Sequence, residues 1–179
     1  MKNIIIIQFF KSPFGELVIG SFGDELCICD WKYRKLRSRI DMRICKFLNS
    51  EMQPGNSPVI NNTIDQLSAY FYGDLKSFSL PLLFAGSEFQ KLTWKELLKI
   101  PYGMTQSYLE LADTLGDKNA VRAVANANGA NAISIIVPCH RVVGSNGELM
   151  GYAGGLPVKK KLLTLEGAFS SNQMDIPFR

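Results

Sequence analysis

The chain has 179 residues, 46% of them hydrophobic and 20% charged, with a formal net charge of +4. That composition excludes a disordered polyelectrolyte, and no run approaches the roughly 20 consecutive apolar residues that span a bilayer. Ten Lys/Arg face eight Asp/Glu on each side of Gly86, so the basic excess admits an acidic partner without locating one.

Met1 to Phe10 pairs a basic residue with an apolar stretch, but it is broken by Gln8 and has no small-residue cleavage site. It reads as a first strand rather than a leader, and four cysteines without a leader point to free thiols and a cytoplasmic location. Ile4–Phe10, Glu16–Phe22 and Glu25–Trp31 are three expected strands of an antiparallel meander, turned at Pro13-Phe14-Gly15 and Gly23-Asp24. Lys35–Leu48 carries Leu36, Ile40, Ile44, Phe47 and Leu48 at helical spacing. From Lys32 to Lys46 seven basic residues are opposed by Asp41 alone; this run reads first as a solvated face and second as a phosphate-contacting patch. Thr63–Tyr72 is a second helix closed by Gly73-Asp74. Ser77–Phe84 is a strand or an extended exit from a first domain. Cys27 and Cys29, at i and i+2, share one strand face; with Cys45 and a histidine they lack zinc-site spacing, so they are read as core and no metal is expected.

Ala85-Gly86-Ser87 marks the boundary: residues 1–86 form a sheet-plus-helix domain, 87–169 a mainly helical one, and 170–179 a polar tail. Ser87 caps a helix Glu88–Lys99 that stops at Ile100-Pro101-Tyr102-Gly103. Two short helices follow, Ser107–Leu115 and Lys118–Asn128, joined by Gly116-Asp117: a helix-turn-helix spacing or an ordinary helical corner. The second helix buries Val121, Val124 and Ala125 and turns Arg122, Ala123, Asn126 and Ala127 outward. That outward face is small, with one projecting arginine, and suits close approach to a groove. Val142–Gly151 reads as a hairpin turning at Ser145-Asn146-Gly147, followed by the loop Tyr152-Ala153-Gly154-Gly155 and a helix from Pro157 to Leu165.

The chemistry concentrates at Ile135-Ile136-Val137-Pro138-Cys139-His140-Arg141. Pro138 stops an apolar run and sets Cys139 at its end, with the chain's only histidine next to it. Imidazole and positive charge lower a thiol's pKa, whereas a small buried cysteine is inert. Sequence neighbours do not face each other, so a water-bridged relay is favoured over direct contact between His140 and Cys139. Glu166 projects toward the packed side of the last helix and needs a partner, either His140 or Lys159 two turns back. Such a relay makes a thiolate without positioning a hydrolytic water, which suits attack on saturated carbon.

These residues resemble the active-site motif of the O6-alkylguanine-DNA alkyltransferases, the methylated-DNA–protein-cysteine methyltransferases. The resemblance extends through Ile100-Pro101-Tyr102-Gly103, Ser107-Tyr108, Ala120-Val121-Arg122-Ala123-Val124, Ala127-Asn128-Gly129, Asn131, Gly151-Tyr152-Ala153-Gly154-Gly155 and Leu162-Leu163-Thr164-Leu165-Glu166-Gly167. It covers 87–168 nearly without gaps and the first half loosely, through Ser12-Pro13-Phe14-Gly15 and Tyr70-Phe71-Tyr72-Gly73. It implies a ribonuclease-H-like α/β domain with a small antiparallel sheet, then a winged helix-turn-helix domain. It also implies a monomer that flips O6-methylguanine from duplex DNA, with O4-methylthymine as a second lesion, and moves the alkyl group irreversibly to Cys139 without a cofactor. By position, Cys139 is the nucleophile, His140 and Glu166 its relay, Asn131 the support of the turn, and Tyr108 the proton donor and nucleotide rotator. Arg122, Ala123, Ala127, Asn128 and Arg141 are candidate DNA contacts. Ser134, Val142, Met150, Tyr152 and Ala153 are candidate pocket residues. Many members have Ser where Ala153 stands. Members open to benzyl groups tend to have Pro and Gly in place of Ser134 and Met150, so a narrow pocket is expected. The alternatives are a module that recognises alkylated bases without transfer, and a cysteine hydrolase or redox thiol protein.

Overall fold

Nearly continuous apolar runs in the first thirty positions build a sheet whose second and third strands are buried on both faces, seen in a computed structural model that describes residues 2–169. The expected tail, 170–179, lies outside them. Strands β1 (Asn3–Ser12), β2 (Gly15–Phe22) and β3 (Glu25–Trp31) form the antiparallel meander. A fourth strand, β4 (Ser50–Pro54), pairs parallel with β1 and gives the order β3-β2-β1-β4. The sheet is therefore mixed, not antiparallel as expected. The β4 sequence, SEMQP, is short and polar, and its proline is tolerated because the strand lies at an edge.

Helix α1 (Arg37–Phe47) covers one face, where Ile40 and Ile44 pack with Ile5, Val18 and Ile28. Helix α2 (Pro58–Tyr72) covers the other, where Ile60, Leu67 and Tyr70 join Leu17, Ile19 and Trp31. It begins five residues earlier than expected, because Ser57 caps it by accepting from Ile60 N–H and Pro58 occupies its first turn. Its C-terminal Gly73 has φ 85°, the left-handed conformation that ends helices. A register shift between Gly20 and Ser21 sends Cys27 and Cys29 into different clusters, which corrects the expectation that they share a face. Residues 77–84 form no strand. Pro81 interrupts them, and a single bridge, Leu26 to Leu82, ties them to β3.

In the second half, α3 (Glu88–Leu97) starts with a capping box between Ser87 and Gln90, and α4 (Tyr108–Thr114) with one between Ser107 and Glu110. A 3₁₀ turn (Lys118–Ala120) leads into α5 (Val121–Gly129), completing the helix-turn-helix, and α6 (Leu156–Leu165) closes the domain. The expected hairpin at Val142–Gly151 is absent. Gly144 N–H donates to Glu148 O, but β6 (Val142–Val143) pairs parallel with β5 (Gln106–Ser107) instead. No helix among the described residues is long and apolar enough to cross a membrane.

The large core is continuous across the two domains, because Ile133, Ile135, Ile136, Val137 and Cys139 pack in the same cluster as Leu17, Ile19 and Tyr70. The apolar run before Pro138 is thus a buried turn laid on the sheet domain, with Val137 N–H closing onto Ile133 O at 2.9 Å. Ile135 in it has φ 73°, a conformation that β-branched side chains resist and that surrounding packing must impose.

Candidate active site and nucleic-acid interface

Pro138 precedes a single 3₁₀ turn, Cys139–Arg141, whose three side chains are all buried. Asn131 holds the turn from below: its Nδ2 donates to Val137 O at 3.0 Å, and its Oδ1 accepts from Ile133 N–H at 2.9 Å. Consecutive residues on so tight a turn project in different directions. Cys139, only 3% exposed, lines an open groove of about 1800 Å³, whereas His140 and Arg141 point into the protein toward Glu166.

Glu166 caps the end of α6 and gathers the donors around it. His140 Nε2 lies 2.7 Å from Oε1, and Arg141 contributes Nε to Oε2 at 2.8 Å and Nη2 to Oε1 at 3.0 Å. Tyr70 of α2 adds its hydroxyl to Oε1 at 2.7 Å. Burial works against this carboxylate, yet the hydrogen bonds from His140 and Arg141 and the Arg141 charge hold its pKa at about 2. Burial lowers the His140 pKa, opposed by Glu166 and reinforced by the Arg141 charge. The imidazole is therefore neutral at pH 7. With Nε2–H donated to Glu166, its acceptor is Nδ1, which is buried and has no partner among the described residues.

Burial also raises the Cys139 thiol, while a hydrogen bond from Asn131 and the Lys159 charge draw it back down. Lys159 is wholly buried and donates to Val142 O and Met150 O, each at 2.6 Å. It does not pair with Glu166, and burial lowers its pKa to about 8. Tyr108 lines the groove at the start of α4, and its hydroxyl accepts from Asn128 Nδ2 at 3.3 Å. Burial and the neighbouring Cys139 push that phenol up to about 12, so it keeps its proton at neutral pH.

The sequence-predicted residues divide accordingly. Cys139, His140, Glu166, Asn131 and Tyr108 come together. Arg122 and Ala123 are exposed on α5, and Met150, Tyr152 and Ala153 line the groove. Four placements need correction. Ala127 faces the core, because Trp94 Nε1 bonds its carbonyl at 2.8 Å and α5 packs there on α3. Arg141 is no surface cation but a buried partner of Glu166. The Ser134 hydroxyl is turned onto Asp30 at 3.1 Å, and the Val142 side chain is wholly buried, so neither lines the groove. Asn128 is buried as well, although it reaches the groove beside Tyr108.

Sequence reasoning missed Tyr70, Lys159 as a carbonyl anchor, and Trp31, whose Nε1 donates to Tyr152 hydroxyl at 3.0 Å. The first and last are far from the motif in the chain. Lys159 carried one signal: a lysine on the apolar bearing of its helix.

Comparison with known proteins bears on the whole chain. A family model described as 6-O-methylguanine DNA methyltransferase, DNA binding domain, matches residues 88–168, and the ribonuclease-like domain of the same family matches 5–84. The methylated-DNA–protein-cysteine methyltransferase of Mycobacterium tuberculosis H37Rv is 54% identical over 166 residues, covering 91% of this chain and 93% of that protein. That of Methanosarcina acetivorans is 43% identical over 159 residues, covering 89% and 96%. Among solved structures, M. tuberculosis OGT in complex with DNA superposes with a TM-score of 0.79 at 40% identity, covering 91% of this chain and 93% of that one. The M. tuberculosis O6-methylguanine methyltransferase gives 0.76 at 41%, covering 92% and 93%. A motif, a fold and family matches over residues 5–84 and 88–168 place this chain in the 6-O-methylguanine DNA methyltransferase family.

Proposed function

We propose that this protein repairs duplex DNA by moving the alkyl group of O6-methylguanine onto Cys139, one group per molecule. The observation that carries the reading is the buried pair Glu166–His140, which leaves Nδ1 as a buried acceptor on the residue next to Cys139, while Cys139 itself lines the groove. A water bridging Nδ1 and Sγ takes the thiol proton to His140, and the Glu166 carboxylate stabilises the imidazolium that forms. The thiolate attacks the methyl carbon; the carbon–O6 bond breaks with its electron pair going to guanine, and Tyr108 supplies a proton to the leaving base. The product is a thioether, which water does not cleave, so the reaction ends after one turnover.

Reaching the thiol requires the nucleotide to leave the stack, because Cys139 is only 3% exposed and a stacked base does not enter its groove. The exposed face of α5, carrying Arg122, Ala123 and Asn126 around small side chains, is the surface that approaches the DNA, with Arg122 occupying the space of the extruded base. Met150, Tyr152 and Ala153 wall the pocket that receives it.

Cys139→Ser tests the reading against a module that recognises the lesion without repairing it. Transfer from a duplex carrying O6-methylguanine should vanish while binding of that duplex persists. Methyl transfer by the serine variant would contradict it.

A further inference from the structure

The basic run of α1 and the loop before it is a solvated face only in part: Lys35, Arg39 and Lys46 are exposed, whereas the other four basic residues are engaged. Arg37 is paired with Asp30 at 3.0 Å and also with Asp41, and Lys32 with Glu16 at 2.7 Å. The two remaining inward arginines reach across the domain boundary. Arg34, braced on the fully buried Asp30 at 2.7 Å, donates Nη2 to Gly129 O at 2.6 Å and Nη1 to Asn131 O at 2.9 Å. Arg43 donates Nη2 to Ala130 O at 2.8 Å. Its guanidinium lies over the ring of Trp94, which itself holds Ala127 O.

All these acceptors belong to the C-terminal end of α5 and the two residues beyond it. A helix end leaves carbonyls without internal partners and carries partial negative charge. α5 has no basic residue in its own last turn, and it ends on Ala130 in a right-handed conformation, without a left-handed glycine. The cations that complete this helix therefore come from the other domain. The strap continues along the chain, since Cys29 N–H donates to Ala132 O at 2.9 Å and Cys29 O accepts from Ser134 N–H at 2.6 Å.

We infer that Arg34 and Arg43 are positioning residues: through them the sheet domain fixes the recognition helix relative to Cys139. Arg122 lies about two turns from the clamped end, so a shift there moves the residue that enters the duplex. The inference rests on the proposed transfer reaction and assigns the sheet domain a part in it.

The test compares Arg43→Met and Arg34→Met with the unaltered chain on two substrates, duplex DNA containing O6-methylguanine and the free O6-methylguanine base. The free base needs the thiol and pocket but not the exposed face of α5 that approaches the duplex. Each substitution should slow transfer from the duplex about tenfold or more and leave transfer from the free base within twofold. Arg34→Lys, which reaches one carbonyl instead of two, should recover part of the loss. Amide exchange should quicken at residues 127–131 in both methionine variants, a local readout that stands even where a variant's melting temperature falls. Equal losses on both substrates, or no loss on the duplex, would overturn the inference. Absence of transfer by the unaltered chain would instead overturn the proposed function.

Discussion

The Tyr70 hydroxyl donates to Glu166 Oε1 at 2.7 Å, across 96 positions of sequence and from one domain to the other. The carboxylate that steadies His140 is thus partly held by the sheet domain. Tyr70→Phe removes that donor and little volume. It should cost about 1–3 kcal/mol of stability, the scale of a hydrogen bond to a charged group, and slow transfer a few-fold because His140 and Arg141 remain. Urea unfolding and single-turnover transfer rates check both.

Stability should fall with acid in two stages. His140 is the only histidine, and its pKa is depressed in the folded protein. Below the unfolded value near 6.5 the unfolded chain binds a proton that the folded one refuses, so stability declines as pH drops from 7 toward 5. His140→Gln should flatten that stretch of the curve, measured by urea unfolding at each pH.

Glu166 acts lower on the scale. Its folded pKa of about 2 against an ordinary 4.5 makes the ionised state worth roughly 3 kcal/mol, fully present above pH 4.5 and lost as pH falls toward 2. Glu166→Gln should be destabilised at pH 7 by about 3–5 kcal/mol, since Arg141 is left buried without its counter-charge. The gap to the unaltered protein should close as the pH falls through this range.

Arg122→Ala should lower transfer from the duplex by an order of magnitude while leaving Cys139 reactive toward free O6-methylguanine. The salt dependence of duplex binding should change by no more than about one charge. Equal loss on both substrates would place Arg122 at the thiol instead of in the DNA.

Met150 and Ser134 should separate in their effect on bulky substrates. Met150 stands half-exposed at the groove, so Met150→Gly should raise the rate with O6-benzylguanine. Ser134→Pro removes the N–H that Cys29 O accepts and the hydroxyl that Asp30 accepts. It should lower stability without widening the pocket. Transfer rates with methyl and benzyl bases, alongside melting curves, decide it.

What could be read from the sequence followed local chemistry. Pro138 and the capping Ser87 are short-range signals that the structure keeps, and of the apolar positions read in α1 and α5 it buries Ile40, Ile44 and Val124. Cys139, Asn131 and Tyr108 were legible because the motif places them within about thirty residues of each other. β4 escaped because an edge strand needs neither alternation nor an apolar face. Ala127 was misplaced because a small residue carries no polarity to say which way it points, and its neighbour Trp94 lies 33 residues away. Within the basic run Arg34 and Arg43 were misread for a related reason. Their partners across the domain boundary are main-chain carbonyls of residues 129–131, and carbonyls leave no mark in a sequence.

The central claim is tested most directly by titrating the protein with duplex DNA carrying one O6-methylguanine and mapping the product peptides by mass. The account predicts one methyl group on the peptide containing Cys139, saturating at one per protein chain, with unmodified guanine left in the DNA. Lesion binding with no methyl on that peptide, or methyl on another residue, would contradict it.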